Sequence, residues 1–549
     1  VILATVRGSR AACGIVLAYT IVVAGCAGTA TPHDDDDAED RREQVNLFFT
    51  KDGLHTRATV EGGVLEGKAV HHTREFLGIP YAKPPLGALR FMPPQPVEPW
   101  KGVRDATEYG PACPQPTIGP YATPHPMDED CLTLNVFAPE PVPEKLVPVI
   151  VFIHGGGFVF GNSADYDGET LSEAGPVVVV TINYRLGPLG FFSHPDMDAL
   201  RGGVPSGNDG LLDQQLALRW VHDNIAAFGG DPENVTLSGE STGSVSVCLH
   251  LVSPGSRDLA SRLIMQSNEC VVMNRPKDRD YALDMGQSLV DHFCTDAHGP
   301  ELIECLRDQD GLELAGFGSV APGGDTGWTA TIDGPGGVLP ITPDDALSRG
   351  EYDHAPVLIG STRREAAQLQ LLGLIDEVDR SGFQVFLIDT FFPHANEVAA
   401  QYPTQSDADA NEAYVRLLTD VEVRCPTRTL ARRLSVQDSA VYLYSFEEGE
   451  AIHGDDVSYV FAGREDASVS PTLVGAVQGY WTRFAALGNP NSFGAVRWPA
   501  YVDASLVDDP EFSDRYLILA TPPEAGMGLA KDDCDFWDDL IQQHGGPFW

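Results

Sequence analysis

The sequence predicts an α/β protein with a mostly parallel central sheet and helices on both faces. Several segments of strand length are apolar throughout rather than alternating, which is the pattern of strands covered on both sides. Helical stretches separate them, as crossovers between parallel strands require. Glycine-rich segments come directly after two of these strands, where the loops of such a sheet converge on one crevice.

The first apolar run is 147–153, Val-Pro-Val-Ile-Val-Phe-Ile, and the second is 176–184, with four consecutive valines. Residues 213–228 follow as a helix, with Leu216, Trp220 and Ile225 facing inward and Gly229-Gly230 ending it. A short strand is expected at 234–238, a helix at 244–251, and further strands at 355–359 and 440–444.

The 549 residues are 43% hydrophobic, enough for a large core, and no internal linker is visible. Formal net charge is −43, with acidic residues along the whole chain. That field repels nucleic acid and disfavours anionic partners, although solubility alone accounts for it.

Residues 1–26 have the pattern of an export signal. Arg7 and Arg10 precede an uncharged stretch, 11–25, too short for a confident membrane span, which ends in Val23-Ala24-Gly25-Cys26. This ending resembles the lipobox of bacterial lipoproteins. Lipidation at Cys26, ordinary cleavage and retention as an uncleaved anchor all fit it, and a lipid anchor at Cys26 is the sole membrane contact expected. Residues 27–45, with Asp34 to Asp37, are expected to be an acidic flexible linker. Apart from Cys13 and Cys26 in the leader, eight of the ten cysteines remain, an even number that permits disulfides in an exported protein. There is no CxxC pair, so no metal is expected, and no motif calls for a cofactor.

Gly239-Glu240-Ser241-Thr242-Gly243 follows one strand and precedes a helical stretch. In that setting GxSxG is a nucleophile elbow: small residues two positions either side allow a tight turn that lifts the serine hydroxyl above the sheet. His154-Gly155-Gly156-Gly157-Phe158 follows an earlier strand, as an oxyanion loop does, since glycines leave backbone amides open to a developing negative oxygen. The amides of Gly156, Gly157 and Thr242 are the expected donors. A serine needs a base, and the base needs a carboxylate to orient it, in the chain order serine, acid, histidine. Glu365 fits the acid because it comes shortly after the strand ending at Gly360. His394, His453 and His544 follow it in the chain; His453, which comes after the strand at 440–444, is favoured. Glu240 adds negative potential beside the nucleophile or is structural.

These motifs, with Phe76 to Ala82, Leu89-Arg90-Phe91, Glu129 to Val136, Gly360 to Glu365, His453-Gly454-Asp455-Asp456, and Trp481, Phe484-Ala485, Gly488 and Pro490-Asn491, resemble the type B carboxylesterases. That family includes cholinesterases, fungal lipases of this type and the non-catalytic neuroligins. The resemblance runs from about Val60 to Trp537. It implies an α/β-hydrolase fold over 46–549 and a serine carboxylesterase acting on a small-molecule ester; the leader and the cysteine count, not the resemblance, predict an exported protein of the bacterial envelope or extracellular space. The resemblance also implies disulfides Cys113–Cys131, Cys294–Cys305 and Cys425–Cys534, and leaves Cys248 and Cys270 as buried thiols or an additional bridge.

The chain departs from the family pattern at Thr242 and Ala366, where the family usually has Ala and Gly. The loop between Cys113 and Cys131 carries no Trp, unlike the choline-binding loop of cholinesterases, and is short for a lipase lid. Soluble esters of modest size are therefore expected, with lipase action as the alternative. Retention of Ser241, Glu365 and His453 argues against a neuroligin-like binding module.

Overall fold

The computed structural model describes residues 48–544, except 51–52, 118–122, 273, 319–326, 438, 465 and 508. The leader, 1–26, and the acidic linker, 27–45, lie outside the described residues.

Among the described residues, a 14-stranded mixed sheet runs through the molecule. An antiparallel meander from Phe48–Thr50 to Thr73–Pro80 leads to Thr133–Pro139, which pairs antiparallel with Val178–Ile182. From there the strands are parallel, in the order Val178–Ile182, Val147–Ile153, Gly230–Glu240, Arg262–Gln266, Val357–Thr362, Val441–Phe446 and Arg515–Leu519. Glu524–Met527 closes the far edge antiparallel.

Alternate residues of these strands feed two different cores. Val149, Val151 and Ile153 pack on one side of the sheet with Val178, Val180 and Ile182, while Ile150 and Val179 pack on the other. Burial on both faces is why the strands read as unbroken apolar runs. Helices Asp209–Asn224 and Thr242–Val252 cover the first side, and Pro471–Leu487 covers the second. A third cluster, with Phe383, Tyr414 and Trp537, lies among the later helices and includes Cys425 and Cys534.

Strand boundaries shift modestly from expectation. The 234–238 strand extends to Gly230–Glu240 because Val147 pairs with Gly230 and Ile153 with Gly239. The 213–228 helix starts earlier, at Asp209, and turns into a 3₁₀ segment, Ile225–Phe228, before Gly229 at φ +90°. The three disulfides implied by the family resemblance are present, and a fourth joins Cys248 to Cys270. These two cysteines are therefore a bridge and not free thiols.

The chain makes Val147–Ile153, moves to one side for Val178–Ile182, then returns to the other for Gly230–Glu240. Loops leaving the carboxyl ends of the two flanking strands diverge and open a crevice there. The glycine-rich loop and the GxSxG turn both leave from this point. No helix among the described residues is long and apolar enough to cross a membrane.

Candidate active site

The strand Gly230–Glu240 runs directly into Ser241 and then the helix Thr242–Val252. Ser241 is held at φ +55°, ψ −125°, a conformation that L side chains rarely adopt. A Cβ on Gly239 would lie 2.4 Å from the Gly243 carbonyl, and one on Gly243 would lie 2.0 Å from the Ile153 oxygen. Small residues at both positions are thus a steric requirement of this turn.

The 154–158 loop lies against the turn. Gly156 and Gly157 take φ of +108° and +67°. His154 stacks on Tyr184 at 4.5 Å, and its carbonyl accepts from the Tyr184 hydroxyl at 3.1 Å. Burial pushes the His154 imidazole down to about 4, so it is neutral and structural at pH 7. The Phe158 amide donates to Thr242 Oγ1 at 3.3 Å. The hydroxyl that distinguishes Thr242 from alanine therefore fastens this loop to the start of the helix.

Glu365 comes three residues after the strand Val357–Thr362, is buried, and accepts the Thr362 amide at 2.6 Å. Its other oxygen lies 2.6 Å from His453 Nδ1. The opposite ring nitrogen, Nε2, lies 3.2 Å from Glu240 Oε1. Burial alone would lower the His453 pKa; Glu240, Glu365 and Asp456 outweigh it and raise it to about 10. Burial also raises Glu240, to about 7, against the pull of His453. The two groups face each other and titrate as a pair. Ser241 Oγ makes no hydrogen bond among the described residues, so in this state Nε2 is engaged by the carboxylate.

Ser241, Glu365, His453, Gly156, Gly157 and Thr242 all line one cavity of about 430 Å³. His394 instead faces Glu397 on the surface, and His544 is at the end of the last helix, which separates the three histidines left by chain order. Further neighbours complete the site, and of these Glu422 carried no sequence signal. Glu422 enters the cavity from a π-helical turn, Asp420–Arg424, and burial raises it to about 7. Asp456, behind His453, accepts from Tyr444 at 2.5 Å and from Gln266 at 3.0 Å. Phe158, Leu369, Leu372 and Val423 give the cavity its apolar wall; Asn268, Asn274, Arg275 and Lys277 give it a polar one.

A model of the carboxylesterase family matches residues 55–537. The chain belongs to that family. It is 32% identical to carboxylesterase 1C of Rattus norvegicus over 514 residues, which cover 85% of this chain and 89% of the relative. It is 35% identical to the acetylcholinesterase of Bungarus fasciatus over 543 residues, covering 87% and 84%. With a fatty acyl-CoA hydrolase precursor, medium chain, of Anas platyrhynchos it shares 33% over 518 residues, covering 85% and 88%. Family membership and the α/β-hydrolase architecture together make this chain a serine hydrolase acting on carboxylic esters.

Proposed function

We propose that Ser241 is the nucleophile, His453 its general base and Glu365 the carboxylate that orients His453. The reading is carried by the 2.6 Å contact between His453 Nδ1 and Glu365, in the cavity that also holds Ser241. With Nδ1–H committed to Glu365, Nε2 is the nitrogen that receives the serine proton once it leaves Glu240. Ser241 Oγ attacks the ester carbonyl, and the amides of Gly156, Gly157 and Thr242 donate to the resulting oxyanion. His453 then protonates the departing alcohol, and water releases the acid from the acyl-enzyme by the same route. Cavity volume, about 430 Å³, favours esters of modest size over long acylglycerols.

The hydrolase unit is assigned to residues 46–549, supported by the family match over 55–537. An exported protein, extracellular or held to the bacterial envelope through lipidated Cys26, is the localisation that the leader supports, and the four disulfides among the described residues agree with an oxidising compartment. Labelling the full chain with radioactive palmitate, with Cys26→Ser as control, tests the anchor.

The test of function is hydrolysis of p-nitrophenyl esters from acetate to palmitate by the wild type and by Ser241→Ala. Cleavage of short esters, abolished in the variant, is the expected result. Preference for emulsified long chains would replace the small-ester reading by lipase action, and unchanged turnover in Ser241→Ala would remove Ser241 from the nucleophile role.

A further inference from the structure

The polar wall of the cavity carries two cations on one short segment, in a chain of net charge −43. Arg275 and Lys277 flank the buried Pro276 and are themselves exposed. Among the described residues neither has a carboxylate within ion-pair distance; Lys277 Nζ lies 5.5 Å from the Tyr281 ring centroid.

The segment is fastened at both ends. The Lys277 amide donates to the Ala330 carbonyl at 3.1 Å, and the Lys277 carbonyl accepts from Ile332 at 2.9 Å. Asn274 Nδ2 donates to Asn268 Oδ1 at 2.5 Å, and the Asn268 carbonyl accepts from Ser244 Oγ at 2.8 Å, in the helix that Ser241 begins. The two cations are thus held in register with the nucleophile turn. The same cavity is lined by Glu240 and Glu422, and Glu240 lies 3.2 Å from His453 Nε2, so carboxyl groups gather at the histidine.

We propose that Arg275 and Lys277 are specificity-determining residues that receive a carboxylate on the distal end of the substrate, so that the preferred esters carry a free acid. The inference rests on the ester-hydrolase reading and names its substrate class. A planar guanidinium accepts a carboxylate in a two-pronged fit, and the neighbouring ammonium adds a second charge. Repulsion from the acidic surface does not cancel this attraction, because charges more than about 8 Å away are screened at physiological salt. Glu240 and Glu422 disfavour the anion at the catalytic end and so set the direction in which such a substrate enters.

The experiment compares kcat/KM within two ester pairs at pH 7.5 and physiological salt. Monoethyl adipate against ethyl hexanoate places the carboxylate on the acyl side, and 4-acetoxybutanoate against butyl acetate places it on the alcohol side. The wild type is expected to prefer the anionic member of at least one pair about tenfold, the value of one charge-assisted contact at a partly exposed site. In Arg275→Gln/Lys277→Gln the ratio is expected to fall to about one. General damage to the fold lowers both members and leaves the ratio in place, so the ratio is the readout. A wild-type ratio of one or below in both pairs, or a ratio unchanged in the double variant, overturns the proposal while ester hydrolysis stands. Absence of turnover on all four esters overturns the hydrolase reading and this inference with it.

Discussion

His453 Nε2 lies 3.2 Å from Glu240 Oε1, on the side of the ring opposite its contact with Glu365. The imidazole is thus placed between two carboxylates, each of which favours its protonated form. General-base catalysis needs the neutral form. Activity should therefore rise with pH as the imidazolium gives up its proton, with an acid limb displaced above the ordinary histidine range.

Glu240→Gln removes the strongest of the influences that raise the His453 pKa. Deprotonation then occurs at lower pH, so the acid limb of kcat/KM is expected to move down by about one to three pH units. A pH profile on p-nitrophenyl acetate, wild type against variant, measures it. A limb that stays in place, or moves up, would show that Glu240 does not control the proton on His453.

Much of this site is legible in the sequence because its chemistry restricts residue types over short spans. Gly239 and Gly243 are visible because no Cβ fits at either, and the run 147–153 is a strand at both of its expected ends. Longer-range information is not carried that way. Gly230 to Asn234 look like turn residues, yet pairing with Val147–Ile153 makes Gly230 to Glu240 one continuous strand. Glu422 and Arg275 reach the cavity from segments about 180 and 30 residues from Ser241 in the chain, a placement set by tertiary packing and not by any local motif. The Cys248–Cys270 bridge was open for the same reason: an even cysteine count permits pairing without saying which cysteines pair.

Thr242 supplies a contact that alanine lacks, accepting the Phe158 amide at 3.3 Å. Thr242→Val keeps the bulk and deletes the acceptor, leaving the loop that carries Gly156 and Gly157 less well fixed. Its kcat on a short ester is expected to fall up to about tenfold, the range of one neutral hydrogen bond, with KM little changed. Thr242→Ser, which retains the hydroxyl, is expected to keep near wild-type kcat. Equal losses in both variants would point to the methyl group and not to the hydrogen bond.

The Cys248–Cys270 bridge joins the helix Thr242–Val252 to the segment after Arg262–Gln266, across a sequence separation of 22. Closing a loop of that length stabilises the fold by about 3 kcal/mol in the chain-entropy view. Cys248→Ala/Cys270→Ala is expected to lose that much unfolding free energy, read as a lower guanidinium midpoint at unchanged slope. Both cysteines are buried, so the single variants, each leaving one free thiol, are expected to be no more stable than the double variant.

Arg185 and Asp213 form a buried pair, and neither lines the cavity. The guanidinium donates from Nε and Nη2 to the two carboxylate oxygens, at 2.7 Å each, and the Arg185 amide donates to the same carboxylate at 3.0 Å. A third guanidinium contact reaches the Met92 carbonyl at 2.8 Å, tying the helix Asp209–Asn224 to the chain after Val178–Ile182 and to the early loop. Asp213→Ala leaves a buried arginine without its counter-charge, and breaking such a pair costs about 3 to 5 kcal/mol. A loss of that size in the unfolding free energy from denaturant titration is expected, whereas exposed pairs such as Arg349–Asp345 should change stability by about 1 kcal/mol or less when broken. Similar effects from the buried and the exposed deletions would mean that the interior around Arg185 is wetter than its burial indicates.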